Sequence, residues 1–261
     1  MPHDDATEEA RPRVSVCMAA YNGARYIEEQ LRSILSELEP GDEVVVVDDA
    51  STDDTATVVE ALGDPRVRLH RETRNEGYVR TFEKAMTRAT GDVLMLADQD
   101  DLWVEGRRLA LLVAAAKSGV AASNLVLLGT GESLRSPVTR RVWRLHSAES
   151  RHALRNEWRI LAGVIPYFGC AMAVRRDVLD LVLPFPPFLT ESHDLWIATV
   201  ANNARAMTHV DAVTVKRRLH NENASTPRPR SIGPVLRARW MLLRAWREAS
   251  RRRRSRVRTP A

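Results

Sequence analysis

The chain has 261 residues, 44% hydrophobic and 28% charged, enough to bury a core in one large domain or two small ones. The longest apolar runs, Leu109 to Ala116 and Leu125 to Leu128, fall well short of the roughly 18 residues that span a bilayer, which excludes a membrane span. The net charge of +5 is uneven: from Arg228 onward there are twelve Arg and one acid, a segment of +11 that leaves the first 227 residues at −6. High basicity therefore belongs to a tail.

The N-terminus is acidic and has no apolar core of a secretion signal, so a cytoplasmic location is expected. Cys17 and Cys170 each lie in apolar stretches and read as small buried hydrophobes, neither a disulfide framework nor a metal knuckle.

In chain order, Val14 to Ala19 predicts a strand ending in a Tyr-Asn-Gly turn. Ala24 to Leu38 has helical spacing through Ile27, Leu31, Ile34, Leu35 and Leu38. Pro40-Gly41-Asp42 breaks the chain, and Glu43 to Val47 predicts a second strand followed by Asp48-Asp49. Ser51 or Thr52 then caps a helix running to about Leu62. The pattern repeats: strand Val67 to His70, helix Val79 to Ala89, strand Val93 to Ala97 leading into Asp98-Gln99-Asp100-Asp101. Strands joined by helical crossovers imply a mostly parallel sheet covered on both faces, with ligands bound beyond the carboxyl ends of the strands.

The polar residues collect at those ends. Carboxylates on one rim repel, two unit charges 4 Å apart costing roughly 4 kcal/mol at an effective dielectric near 20. A divalent cation resolves the repulsion, and oxygen ligands suit Mg²⁺ or Mn²⁺ shared with substrate phosphates. Asp53 and Asp54 read instead as caps and solvated loop ends. The first strand-to-helix turn carries no Gly-rich phosphate loop, and neither GxxxxGK[ST], GxSxG nor HExxH occurs.

VSVCMAAYN (14–22), VVVVDDASTDDT (44–55), Asn75-Glu76-Gly77 and above all GDVLMLADQDDLW (91–103) resemble the family 2 glycosyltransferases of GT-A fold. Within that family the chain looks most like bacterial O-antigen and surface-polysaccharide enzymes of the rhamnosyltransferase kind. FGCAMAVRR (168–176), LPFPP (183–187), His193-Asp194-Leu195-Trp196, Arg218-Leu219-His220 and Asn223-Ala224-Ser225 continue the resemblance in order. The chain departs from the pattern at Ala19-Ala20, where Pro-Thr or Pro-Val is usual, and at Arg217, where an aromatic is common.

The resemblance implies a Rossmann-like, mostly parallel central sheet with helices on both faces. It divides the chain into an acidic extension (1–12), a catalytic domain (13–227) and a basic helical tail (228–261), the domain having nucleotide-binding (13–103) and acceptor-binding (104–227) halves. It assigns Ala19, Tyr21, Asn22, Asp49, Asp98 and Arg218 to the nucleotide-sugar, with Tyr21 stacking on the base and Asp49 bonding the pyrimidine. Asp100 and His220 go to the metal, Mg²⁺ or Mn²⁺, and Asp194 becomes the general base. The implied reaction moves a sugar, rhamnose the leading candidate, from a UDP- or dTDP-donor to a hydroxyl of a glycan or lipid-linked acceptor. One base and no second nucleophile imply a single displacement with inversion.

His193 is expected to orient Asp194, Glu191 is the second-choice base, and residues 131–156 are expected to hold a mobile loop over the acceptor side. In the tail, Ile232, Val235, Leu236, Leu243 and Trp246 fall on one helical arc of about 100°, with Trp240 at its edge and Arg239 intruding. This pattern fits a peripheral helix on an anionic membrane surface, at the inner face of the plasma membrane. Two rivals are a sugar-1-phosphate nucleotidyltransferase, which wants a Gly-rich basic loop after the first strand, and a nucleic-acid-binding protein with a basic arm. Nucleic acid is not the expected partner, since the charge sits in the tail alone.

Overall fold

The computed structural model describes residues 11–136, 139–220 and 232–258. Most of the acidic extension, the Asn223-Ala224-Ser225 motif and the start of the tail lie outside the described residues. The first half alternates as the sequence predicts: β1 (Val14–Ala20), α1 (Ile27–Leu35), β2 (Glu43–Asp48), α2 (Thr55–Ala61), β3 (Val67–Arg71), α3 (Tyr78–Arg88) and β4 (Val93–Asp98). Helix α1 starts three residues later than expected because Gly23 first accepts two amides, from Tyr26 and Ile27, in a tight turn. The second half contains β5 (Leu102–Trp103), α4 (Arg107–Ser118), β6 (Val120–Leu127), α5 (Ala153–Ala162), β7 (Met172–Arg175), α6 (Leu179–Val182), α7 (His193–Ala204), β8 (Met207–Arg217) and α8 (Ile232–Arg258).

All eight strands form one sheet in the order β3-β2-β1-β4-β7-β6-β8-β5. Strands β3, β2, β1 and β4 are parallel, β7 inserts antiparallel between β4 and β6, and β6 pairs parallel with β8. Strand alternation divides the core between the two faces: Cys17, Val45 and Val47 join one apolar cluster, and Val16, Val44 and Val46 the other. Helices α3 and α7 cover the first face, α1 and α4 the second. The result is an α/β fold with a central sheet, helices on both sides and a C-terminal helical extension. Both cysteines are free and buried, as expected.

Between β6 and β8 the register slips on either side of Asn124. The Asn124 amide nitrogen donates to the Val210 and Asp211 carbonyls, both 3.1 Å away, and to Leu145 O at 3.0 Å. Its oxygen accepts from Leu145 N at 2.7 Å. One side chain thus satisfies carbonyls that the slip leaves without ladder partners.

Helix α8 carries two apolar faces where the sequence suggested one. Met241, Leu242, Ala245 and Ala249 are buried in the same cluster as Trp196, Ile197 and Val200 of α7. The stripe read from the sequence faces outward, Val235, Leu236, Leu243 and Trp246 being 37–63% exposed; the Ile232 side chain lies outside what is described. Among the described residues no helix is long and apolar enough to cross a membrane.

Leu242→Ala should lower the unfolding free energy by about 2–5 kcal/mol, the usual cost of emptying a buried leucine site. An unchanged urea midpoint would mean that α8 is detached in solution.

Candidate active site

The carboxyl ends of β1, β2 and β4 hold the predicted acids and the Tyr21-Asn22 loop. Ala19 sits half-buried on β1 in register with Asp98 of β4. Tyr21 is 44% exposed at the rim. Its backbone is clamped by Gln99, whose Oε1 accepts from Tyr21 N and whose Nε2 donates to Tyr21 O, both at 2.9 Å. Gly23 passes so close beneath that a Cβ there would stand 2.2 Å from Gln99 Oε1. Asn22 adopts φ 48° and its Oδ1 accepts from Thr52 N at 2.8 Å, tying the β1 loop to the β2 loop.

Asp49 is only 2% exposed, and its two oxygens accept from the Glu76 and Gly77 amides at 2.9 and 2.8 Å. Its visible task is to hold the turn into α3; a pyrimidine contact would have to use the lone pairs those amides leave. Asp53 accepts from Ala24 N at 3.1 Å and Thr55 N at 3.0 Å, a turn just ahead of α2; the N-cap of that helix is Asp54, not Ser51 or Thr52 as the sequence suggested, because those two bond Asp48 and Asn22 instead.

At the end of β4 the charges crowd. Burial and the neighbouring Asp100 and Asp101 push the Asp98 carboxyl well above the usual range, and Asp101 is raised by burial and by Asp100. Asp101 Oδ1 accepts from Arg218 N at 3.0 Å. His220 Nε2 lies 2.6 Å from Asp100 Oδ2, and its ring packs 4.8 Å from that of Tyr26. Arg218 donates through Nε to Asp100 O at 3.0 Å and through Nη2 to Glu29 at 2.6 Å, with its guanidinium 5.0 Å above Tyr26.

Asp194 lies in the first turn of α7, where the helix dipole favours a carboxylate. Its Oδ1 accepts from Leu195 N at 2.8 Å, and burial pushes it up to about 6. Ser192 before it takes φ 60°, and its amide donates to Tyr78 Oη at 3.0 Å. Gly169 packs against the His193 ring at the start of α7, and the next residue, Cys170, has its sulfur within 4.8 Å of the Asp98 and Asp101 donor atoms, so the start of α7 adjoins the rim of β4; the Arg217 charge lowers both the Asp98 and the Asp194 carboxyls. His193 does not orient Asp194 as the sequence suggested. It is buried, stacks 4.2 Å from Phe82 and makes no hydrogen bond through either ring nitrogen; burial lowers it to about 3, so it stays neutral.

Three further contributors carried no separate assignment from sequence. Gln99 is hidden between the two aspartates of the DQD motif. Arg217 registered only as a departure from the family pattern. Arg107, 0% exposed, lies beneath the acids and donates to Thr214 Oγ1 at 2.8 Å, Leu96 O at 3.1 Å and Cys170 O at 2.7 Å. No local pattern marks an arginine whose partners are 11 to 107 residues away.

Asp98, Asp101 and Cys170 offer donor atoms within 4.8 Å of one another. Burial holds the Cys170 thiol protonated, which makes it a poor ligand, whereas Asp101 Oδ2 is buried without a hydrogen bond. The predicted ligands Asp100 and His220 stand outside that group and pair with each other; the carboxylate oxygens of Asp98 and Asp101 suit a hard divalent cation.

Residues 15–183 match the family described as Glycosyl transferase family 2. The chain belongs to glycosyl transferase family 2. The succinoglycan biosynthesis protein ExoO of Rhizobium meliloti is 38% identical over 128 residues, 48% of this chain and 36% of that protein. Matches to other curated relatives also span about a third of their length. Among solved structures, S. aureus TarS 1-349 in complex with UDP-GlcNAc superposes with a TM-score of 0.63 at 21% identity, over 81% of this chain and 60% of that one. The mannosyltransferase PcManGT of Pyrobaculum calidifontis, in complex with GDP-Man and Mn²⁺, gives 0.59 at 20% identity, over 97% and 77%. Both likenesses show the fold.

A carboxyl raised by folding contributes stability at low pH that is lost as pH climbs through its raised value. Asp98→Asn should therefore gain in melting temperature relative to wild type between pH 5 and pH 8.5, measured without divalent cation. A difference that does not change with pH would mean that Asp98 is charged throughout.

Proposed function

We propose that this family 2 glycosyltransferase moves a sugar from a UDP- or dTDP-sugar, rhamnose first among candidates, to a hydroxyl of a glycan or lipid-linked acceptor in surface-polysaccharide synthesis. The acceptor is presented at an anionic membrane surface. The observation that carries the reading is the position of Asp194 in the first turn of α7, next to the Gly169–Cys170 segment that borders Asp98 and Asp101; burial raises its carboxyl to about 6. A base with a pKa near the working pH combines the right protonation state with adequate basicity.

Tyr21 would offer a face for the nucleobase, Ala19, Asn22 and Asp49 would border it, and Asp98 and Arg218 would meet the ribose and diphosphate. Asp100 and His220, with Asp98 and Asp101 alongside, would hold Mg²⁺ or Mn²⁺. When bound, such a cation would neutralise charge on the leaving diphosphate. Asp194 accepts the proton of the acceptor hydroxyl while the hydroxyl oxygen bonds to the anomeric carbon. The bond from that carbon to the phosphate oxygen breaks, its electron pair leaves with the diphosphate, and the anomeric configuration inverts. Arg217 keeps Asp194 ionised between turnovers.

Thermal-shift screening of UDP-, dTDP- and GDP-sugars with Mn²⁺ identifies the donor, since a ligand at 100 times its Kd stabilises the folded state by about 2.7 kcal/mol. The reading fails if none of the nucleotide sugars shifts the melting curve.

Asp194→Asn should keep donor binding and lose at least about 10²-fold in turnover, within the range general-base catalysis supplies. Wild-type turnover should rise about tenfold per pH unit up to about 6 and level off above it. A variant within threefold of wild type would move the base elsewhere, Glu191 being next.

Excess EDTA and Asp100→Ala should each abolish transfer. Full turnover in EDTA would remove the cation from the reaction.

A further inference from the structure

A second site lies at the far end of α7. Nine residues separate Asp194 from Asn203, about 14 Å along a helix, and at that end an open cleft of about 1080 Å³ is bounded by the start of α5, the end of α7 and the outer half of α8. Its walls are basic: Arg151, Arg155, Arg205, Arg247, Arg251 and Arg254 all line it. Arg155 pairs with Glu149 and Arg251 with Glu248. Among the described residues, Arg151, Arg205, Arg247 and Arg254 have no carboxylate partner. Glu157 is the one acid among the described lining residues, and burial pushes it up to about 8, so it adds little negative charge at neutral pH. Guanidinium groups gathered this closely call for an anion.

The cleft opens onto exposed apolar side chains. Leu154 and Trp246 line it from opposite walls. Trp158 follows Leu154 by one turn of α5, and Leu243 precedes Trp246 by one turn of α8. The helices run antiparallel, because Arg239 donates to Ala162 O at 3.0 Å at the end of α5 while Trp246 faces its beginning. The two apolar rows therefore lie side by side, and Trp240 and Leu236 extend the α8 row. Leu154 and Trp158 are 75% and 72% exposed, a level of uncovered bulk that marks an interaction surface. A soluble anion would account for the arginines alone. Tryptophan and leucine rows flanked by arginine match the headgroup boundary of an anionic bilayer, where indole rings sit between hydrocarbon and water.

We infer that the α5–α8 face docks on an anionic membrane, its tryptophans entering the headgroup layer and its arginine cleft receiving lipid phosphates. The inference deepens the membrane-side reading above and rests on it for its purpose, since docking would bring Asp194 to a lipid-linked acceptor. Because α8 is part of the core, deleting it is the wrong test; exposed side chains are the right ones.

The full chain is sedimented with vesicles of phosphatidylcholine containing 30% phosphatidylglycerol, and with pure phosphatidylcholine, at 150 mM NaCl. Wild type should bind the anionic vesicles alone, with a blue shift of tryptophan fluorescence. Arg247→Glu/Arg254→Glu and Trp158→Ser/Trp240→Ser should each bind at least tenfold more weakly, with unchanged urea midpoints and unchanged nucleotide-sugar thermal shifts. Equal binding by wild type and both variants, or no binding by wild type, overturns the proposal; nucleotide-sugar binding intact in that case leaves the transfer reading standing. Vesicle binding without any nucleotide-sugar binding would do the reverse. Binding to a random DNA duplex as tight as to vesicles, lost in the arginine variant and kept in the tryptophan variant, overturns it in favour of nucleic acid.

Discussion

Repulsion among Asp98, Asp100, Asp101 and Asp194 is the constraint on which the arrangement of this fold turns. An apolar strand with both faces covered delivers the first of these acids to the rim, and that burial raises Asp98 and Asp101. The surrounding chain answers with positive charge: Arg107 from below, and Arg217 and Arg218 from the end of β8. Burying a guanidinium is costly unless its donors are used; Arg107 spends its two terminal nitrogens on two carbonyls and a hydroxyl, while its Nε stays buried without a partner. These cations hold the acids together, and they leave room for a further one.

Holding the rim also takes backbone strain. Asn22, Ala50 and Ser192 are non-glycine residues with φ of 48°, 60° and 60°, one in each of the three loops that border the site. A left-handed conformation costs an L-residue roughly 1–2 kcal/mol. Crosslinks between loops offset it: Asn22 to Thr52, Ser192 to Tyr78, and Gln99 to both sides of the Tyr21 peptide. Such loops are shaped before any ligand arrives, so less ordering is left for binding to supply.

Much of this was legible in the sequence because it rests on local signals. Four consecutive valines before Asp48-Asp49, and VLMLAD before the acidic run, can only be buried strands ending at a polar rim. The same signals pick out Asp98 and Asp100, whereas Asp194 is marked by the family resemblance alone. What stayed hidden depends on partners distant in sequence. Nothing near Met172 says that β7 runs antiparallel between β4 and β6, and nothing near Arg107 says that it underlies the acids. His193 beside Asp194 suggested a catalytic pair, yet the Phe82 and Tyr78 rings claim the imidazole. In α8, the large residues on the outward face drew attention away from the smaller set at Met241, Leu242, Ala245 and Ala249, which fits closely against α7. The resemblance gives Asp49 a nucleotide contact; its structural task stays hidden, because its amide partners come from a loop 27 residues on.

The slip beside Asn124 decides which way the two arginines at the end of β8 point. Ala122 pairs with His209 and Leu125 with Val215, so β8 uses six residues where β6 uses three. The surplus is odd, and side chains on a strand alternate between faces, so the parity of every residue from Val215 onward is inverted relative to an unbroken ladder. Arg217 thereby reaches Phe168 on one side, and Arg218 reaches Tyr26 and the Asp100 carbonyl on the other. The faces of the two arginines are therefore set by the pairing of Val215 with Leu125: a one-residue shift of that pairing would exchange their neighbours without altering any residue in the site itself, whereas a bulge one residue shorter that kept it would leave them where they are.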